Sequence, residues 1–290
     1  MLDPNAVRLH SGAMDKHSSA GHADTYAADD APATSADTRL ALLNRSHRQD
    51  TPLPNCFVQN PDRKLQDRTA PLATFIRNKD LRALQAYLLI TAVTSSDAGG
   101  EGWSTTLPLT VWARAFGTTD TARPQAASTA ASKILGRLQS RRLIMKQRSG
   151  TSRGVRVTLL SADGSGEAYR RPTSHFLKLP HAYWLDEWHQ KLDLPATAML
   201  LVFLHERPGC ELPTEHMRRW YGFSPDTAER GIKILRDHKL LIVDQRLKKA
   251  PLAPTGITRV NRYFLRPPFG TPPPRPKVTS IQDPTVQGAS

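Results

Sequence analysis

The residues best suited to chemistry are a run of cations in the middle of the chain. Between Thr121 and Ala162 the sequence holds nine Lys or Arg side chains and no Asp or Glu. Such cations bind phosphates, and a guanidinium group can also pair with the edge of guanine. A surface that serves solubility alone mixes both signs of charge. The window therefore predicts contact with nucleic acid.

The net charge of +14 over 290 residues is also distributed unevenly along the chain. Residues 71–172 hold 15 basic and 6 acidic side chains, and residues 173–290 hold 17 and 11, whereas residues 1–70 hold 8 and 9. The excess lies in the parts that look folded, which argues against a simple basic tail. A pI near 10.2 predicts an acidic partner, with nucleic acid first and an anionic membrane surface second.

Other chemistries find little support in the sequence. The stretch "HAYWLDEWH" offers His181, Asp186, Glu187 and His189, but its histidines are eight residues apart, not the four that place two ligands on one helical face. The motifs GxxxxGK[ST], GxGxxG, GxSxG and HExxH do not occur, and the two cysteines lack CxxC spacing. We therefore expect no enzyme activity, no cofactor and no metal site.

The elements that must position the cations form two blocks of the same order. Each block reads as a helix, a short helix, a third helix and two strands around a turn. The first block comprises residues 78–93, 107–117, 125–142 and the strands "LIMKQR" and "VRVTLL"; the second comprises residues 194–207, 212–222, 224–239 and the strands "LLIVDQRLKK" and "RVNRYFL". The short helices align at an offset of 105 residues and the third helices at 97, so an internal repeat is predicted.

Helix boundaries are marked by residues with known capping roles. Ser224 stands at an N-cap position with Pro225 directly after it, and Asp80 precedes the first apolar helix. Gly117 and Gly222 follow the two short helices, where a left-handed C-terminal residue is common. These signals support the predicted boundaries.

The phrases "FSPDTAERGIKILRDHKLLIV" and "ASKILGRLQSRRLIMKQRSGTSRGVRVTLL" resemble the recognition helix and following strands of the winged helix-turn-helix superfamily. The resemblance implies a mainly α fold with small β-hairpins (α+β), built from tandem winged helix-turn-helix domains. The expected divisions are a disordered arm at 1–70, a first domain at 71–172, a second at 173–267 with an extra N-terminal helix over 176–192, and a Pro-rich disordered tail at 268–290.

In this family the third helix enters the DNA major groove and the wing touches phosphates or the minor groove. The resemblance therefore assigns DNA contacts to the outward face of each third helix and to each wing. In the first unit these residues are Gln125, Ser128, Thr129, Ser132, Lys133, Arg137, Arg148, Arg153 and Arg156. In the second unit they are Thr227, Arg230, Lys233, Arg236, Lys248, Lys249 and Arg259. Because acidic residues are mixed into the second unit, the first is expected to supply most of the affinity.

Three functions remain open at this point. The first is a sequence-specific transcriptional regulator that binds double-stranded DNA, and the second is a replication initiator of a plasmid or phage-like element. The third is a protein-interaction module that uses the N-terminal arm or the Pro-rich tail. A homodimer is possible in each case. No apolar run approaches 18 residues and no secretory signal is apparent, so a cytoplasmic, nucleoid-associated protein is expected, without membrane contact.

Overall fold

Four elements precede the first predicted repeat. The computed structural model describes residues 31–94, 102–148 and 154–271. Helix α1 spans Ser35–Arg45, strand β1 spans Asp50–Pro54, a 3-10 turn spans Asn55–Phe57 and helix α2 spans Pro71–Arg77. Helix α1 begins with a capping box, in which the Thr34 hydroxyl accepts from the Asp37 backbone N–H and the Asp37 carboxylate accepts from the Thr34 N–H.

The expectation of a disordered arm over 1–70 is thus wrong for residues 34–70. Three of their large apolar side chains, Leu43, Leu53 and Phe57, are buried in the core that later parts of the chain complete. Arg48 donates to the backbone carbonyls of Ala92 and Thr94 at 2.9 and 3.0 Å. Composition predicted disorder because this segment has too few large apolar side chains to form a hydrophobic core by itself. Its buried side chains pack instead against residues from elsewhere in the chain. Residues 1–30 lie outside the described part.

The first repeat follows the predicted order with one added strand. Helix α3 spans Leu81–Val93, β2 Ser104–Pro108, α4 Leu109–Ala115, α5 Pro124–Ser140, β3 Ile144–Arg148 and β4 Gly154–Leu159. The three strands form an antiparallel sheet in the order β2-β4-β3. The Asp80 side chain accepts from the Ala83 N–H and so caps α3 as predicted. Gly117 follows α4 with a φ of +68°, which explains why glycine stands there.

The second repeat has the same order of elements. Helix α8 spans Leu194–His205, β6 Cys210–Glu211, α9 Met217–Tyr221 after a 3-10 turn at Thr214–His216, α10 Pro225–Asp237, β7 Leu241–Lys249 and β8 Ile257–Leu265. Its sheet has the order β6-β8-β7, which matches that of the first repeat. Ser224 caps α10 by accepting from the Thr227 N–H at 3.2 Å, and Gly222 ends α9 with a φ of +75°, as predicted.

The extra helix predicted over 176–192 is not formed. Strand β5 spans Phe176–Pro180, and two short helices follow, α6 at Ala182–Leu185 and α7 at Trp188–Lys191. Strand β5 pairs with β1, because Leu177 and Leu179 alternate with an exposed Lys178 and only a strand buries both leucines. Glu187 adopts a φ of +59° between the short helices and prevents a continuous helix.

One hydrophobic core serves both repeats and the leading segment. It includes Leu53 and Phe57 from the leading segment, Tyr87 and Trp112 from the first repeat and Met199 from the second. The described residues from Thr34 onward accordingly form one compact unit. Phe269 is buried in the same core and packs edge-on against Trp188. The predicted tail boundary at 268 therefore lies too early, and residues beyond 271 lie outside the described part. Within the described part, no helix is long and apolar enough to span a bilayer.

Helices α8 and α10 approach so closely that one glycine is required between them. A Cβ at Gly231 would stand 2.4 Å from the Pro195 carbonyl oxygen and 2.6 Å from the Met199 Cγ. We expect Gly231→Ala to lower the free energy of unfolding by about 1–3 kcal/mol, the typical cost of an overpacked core. Gly136 in α5 is the matched control, since a Cβ there meets nothing within 4 Å. Gly136→Ala should raise stability by about 0.5–1 kcal/mol, and urea denaturation of both variants measures the contrast.

Candidate nucleic-acid interface

The second repeat forms a cleft between its third helix and its hairpin. Ala228, Ile232 and Leu235 turn the apolar face of α10 toward the core, which leaves the basic residues of the helix on the outside. The cleft has a volume of about 590 Å³. Lys233 and Arg236 from α10 face it together with Arg259 from β8. Three residues predicted from the sequence are therefore brought to one place.

The cleft walls also carry side chains that the sequence-based reasoning missed. Gln245 and Asn261 are directly opposite each other on β7 and β8, and both line the cleft. An amide side chain can donate to and accept from adenine in the major groove. Gln245 follows Val243 by two residues on the predicted strand, and residues two apart on a strand share a face. The sequence therefore already contained the signal that places Gln245 beside Val243.

Carboxylates share the cleft with the cations. Glu211, Glu215 and Glu229 line it, and Glu229 accepts from the Thr214 hydroxyl at 3.3 Å. Glu211 pairs with Lys248 at 2.9 Å, so this predicted wing cation already has a partner. A carboxylate repels phosphate but accepts from the amino group of cytosine. The cleft lining therefore holds three carboxylates and three cations, so groups that repel phosphate stand beside groups that attract it.

The other predicted residues of the second unit differ in availability. Thr227 is part of the α10 cap, because its N–H and its hydroxyl both contact the Ser224 hydroxyl. Arg230 and Lys249 are exposed, like Lys233, Arg236 and Arg259. None of these five cations forms an ion pair with a residue of the described ranges. They are therefore available for phosphate or base contacts.

Helix α5 of the first repeat has fewer exposed and unpaired contact residues than its sequence suggested. Ala127, Ala131, Ile134, Leu135 and Leu138 are buried. Among the predicted contacts, Gln125, Thr129 and Lys133 are exposed, whereas Ser128 and Ser132 are half-buried. The Thr129 hydroxyl donates to the Gln125 carbonyl at 3.0 Å. Lys133 is thus the one cation of this set without a partner in the described structure.

Arg137 is bound by a carboxylate of the protein itself. Its guanidinium forks onto the Asp80 carboxylate, with Nε–Oδ2 at 2.8 Å and Nη2–Oδ1 at 3.0 Å. Arg141 donates to the same carboxylate at 2.7 Å and lies over the Phe75 ring at 4.3 Å. Burial opposes ionisation of Asp80, but hydrogen bonds from Arg137 and Arg141 outweigh it and hold its pKa below the ordinary value. Two cations of the acid-free window therefore do have a counter-charge, contributed from outside that window.

The first wing carries its cations at separate places. Arg148 is exposed at the end of β3. Arg156 lies in the middle strand β4 and donates to the Ser104 hydroxyl at 3.3 Å. Arg153 belongs to residues 149–153, which lie outside the described part. The structure therefore places Arg148 where a wing contact was predicted and gives Arg156 a partner within the sheet.

The two histidines considered as metal ligands lie in packing positions, whereas Asp186 and Glu187 are exposed. The His181 ring is buried and bonds the Thr51 hydroxyl at 3.2 Å, and the His189 ring lies near Tyr183. Burial, together with the nearby Arg39 charge, lowers the pKa of His189 to about 4. In the part of the chain that the structure describes, no three His, Cys, Asp or Glu side chains are grouped as metal ligands.

Comparisons of the chain with protein-family models, with curated proteins and with solved structures give no match.

Proposed function

We propose that the protein binds double-stranded DNA through two winged helix-turn-helix units, with α5 and α10 as recognition helices. The observation that carries this proposal is the repeated element order with the repeated strand orders β2-β4-β3 and β6-β8-β7. In each unit the third helix is anchored by an apolar face and turns polar and basic residues outward. A major groove about 12 Å wide accepts one such helix.

The cleft beside α10 supports sequence-specific binding. Lys233, Arg236 and Arg259 offer positive charge, while Gln245 and Asn261 offer amides that match the edge of adenine. Because phosphate contacts alone carry no sequence information, these amides and the cleft carboxylates are the groups that discriminate. A sequence-specific transcriptional regulator is the function that this combination supports best.

Replication initiation is a second candidate, favoured by the shared core. Dimeric regulators with two-fold symmetry bind palindromic half-sites. Here two unlike units belong to one compact body, so a single chain can read a non-palindromic site. Tandem winged-helix proteins that resemble this layout bind repeated origin sites, where two units can occupy successive major grooves. A cloned neighbouring segment that fails to replicate when this protein is supplied would count against this candidate.

The test of DNA binding is selection from a random duplex pool, followed by mobility-shift titration of the recovered duplex at several salt concentrations. We expect enrichment of a defined sequence and an affinity that falls steeply with salt, with a slope of about −0.9 per phosphate contact. Equal affinity for all duplexes would exclude sequence-specific binding. Absence of binding at low salt would exclude DNA binding and leave the protein-interaction module.

The same assay tests the first wing. Changing Arg148, Arg153 and Arg156 together to Ala should flatten the salt slope by about 2 to 3, since each lost phosphate contact removes about 0.9. The affinity for the selected duplex should fall as well. An unchanged affinity would remove the first wing from the DNA interface.

A further inference from the structure

The tip of the second hairpin exposes large apolar side chains. Leu252 is 101% exposed, Leu247 67% and Ile257 46%. Within the described ranges, four large apolar residues are at least 46% exposed, and three of them lie on this one hairpin. Such clustering marks a surface that contacts a partner.

The tip is a rigid structure built from two consecutive turns. The Ala253 N–H donates to the Ala250 carbonyl, and the Gly256 N–H donates to the Ala253 carbonyl, both at 2.9 Å. Pro251 and Pro254 occupy the second position of these turns, where the fixed φ of proline is favourable. The backbone at Leu252 is therefore held by the turns, which lowers the conformational entropy that the tip loses when it binds.

The face of the hairpin next to the tip continues the wall of the α10 cleft. Side chains alternate along a strand, so Leu247 and Lys249 share the face of Gln245. On β8, Ile257 and Arg259 share the face of Asn261 in the same way. Arg259 is paired with Leu247 and Lys249 with Ile257, which gives a mixed apolar and basic surface.

We propose that Leu252 inserts as a wedge between base pairs in the minor groove and bends the DNA that α10 reads. Lys249 and Arg259 would hold the flanking phosphates. This inference rests on the proposed DNA binding. The hairpin has nine paired residues on each strand, so it is about 30 Å long. From Gln245 in the cleft wall the strand continues for four residues to Lys249, about 13 Å, and residues 250–256 extend beyond it, which approaches the half of a 34 Å turn between a major groove and the adjacent minor groove.

The charges around the tip favour DNA over an apolar protein partner. Arg259 is paired with Leu247 and Lys249 with Ile257, and neither cation forms an ion pair within the described ranges, whereas Arg246 is bound to Asp244 at 2.8 Å and Lys248 to Glu211 at 2.9 Å. Leucine and proline are residues that minor-groove proteins insert between base steps, and the unstacking costs a few kcal/mol per step. The bend is stabilised by the extra contacts that it permits.

The experiment uses the duplex recovered from the random pool, placed at different positions in circularly permuted fragments. With the full-length protein bound, we expect mobility to depend on the position of the site and thymines beside it to become hyperreactive to permanganate. Leu252→Ala should abolish the hyperreactivity and reduce the bend. The affinity should fall less than tenfold, because the unstacking cost disappears together with the contact.

Two variants serve as controls. Leu252→Met keeps a large apolar wedge and should preserve the distortion, whereas Leu185→Ala removes a leucine that is 47% exposed elsewhere and should change nothing. The wedge alone would be overturned if the bound wild-type protein left the duplex undistorted. It would also be overturned if Leu252→Ala left the mobility and the permanganate reactivity unchanged. Failure of the wild-type protein to bind any duplex would overturn the proposed function and the wedge together. Because Leu252 is fully exposed, misfolding of its variants is not expected.

Discussion

Replacing Lys233, Arg236 and Arg259 together by alanine should weaken binding of the selected duplex by about 100-fold or more. These three cations converge on the cleft beside α10, and none forms an ion pair in the described structure. Each good contact of this kind contributes about 1–3 kcal/mol, and about 1.4 kcal/mol corresponds to tenfold in affinity. Titration at several salt concentrations should show a slope reduced by about 2 to 3 units.

The matched control removes the same charge elsewhere. Arg45, Arg63 and Lys64 are exposed in the leading segment, so changing all three to alanine lowers the net charge equally without touching the cleft. If both triple variants bind equally well, the effect is one of overall charge and the cleft is not the interface. If the first-wing variant loses more affinity than the cleft variant, the prediction from the sequence that the first unit dominates would stand.

Replacing Asp80 by alanine should lower the free energy of unfolding by about 3 kcal/mol, within the range for breaking a buried ion pair. The Asp80 and Arg141 side chains are only 9% and 12% exposed, and removal of the carboxylate leaves the Arg141 charge buried. Loss of the α3 cap adds to the cost. The pair with Arg137 contributes little, because that side chain is 44% exposed. Urea denaturation at neutral pH measures the loss.

The dependence on pH gives this prediction a second check. The pKa of Asp80 is lowered in the folded protein, so its stabilisation is present above the ordinary pKa near 3.8 and is lost as pH falls through the lowered value. The advantage of the wild type over Asp80→Asn should therefore vanish in acid. Asn keeps the cap acceptor, so its loss at neutral pH should be smaller than that of alanine. Equal stability of all three proteins at neutral pH would contradict the role assigned to this carboxylate.

The sequence by itself determined the local elements of both repeats except for the strands β2 and β6, which form only by pairing with β4 and β8. Apolar periodicity, the Ser224 cap and the glycines after the short helices are signals between near neighbours, and their energies do not depend on the rest of the fold. The predicted third helices and hairpins were accordingly found where expected. The repeat was also detectable, because two stretches with the same order of elements place apolar residues at matching positions.

Only the tertiary structure decided that residues 34–70 are folded and which cations form ion pairs within the protein. The leading segment is ordered because Leu43, Leu53 and Phe57 bury themselves in a core contributed by distant residues. Arg137 appeared free in a window without acids, yet Asp80 reaches it across 57 positions. Lys248 is paired by Glu211 in the same way. Burial and ion pairing depend on distances in space, and a pattern along the chain records only distances along the chain.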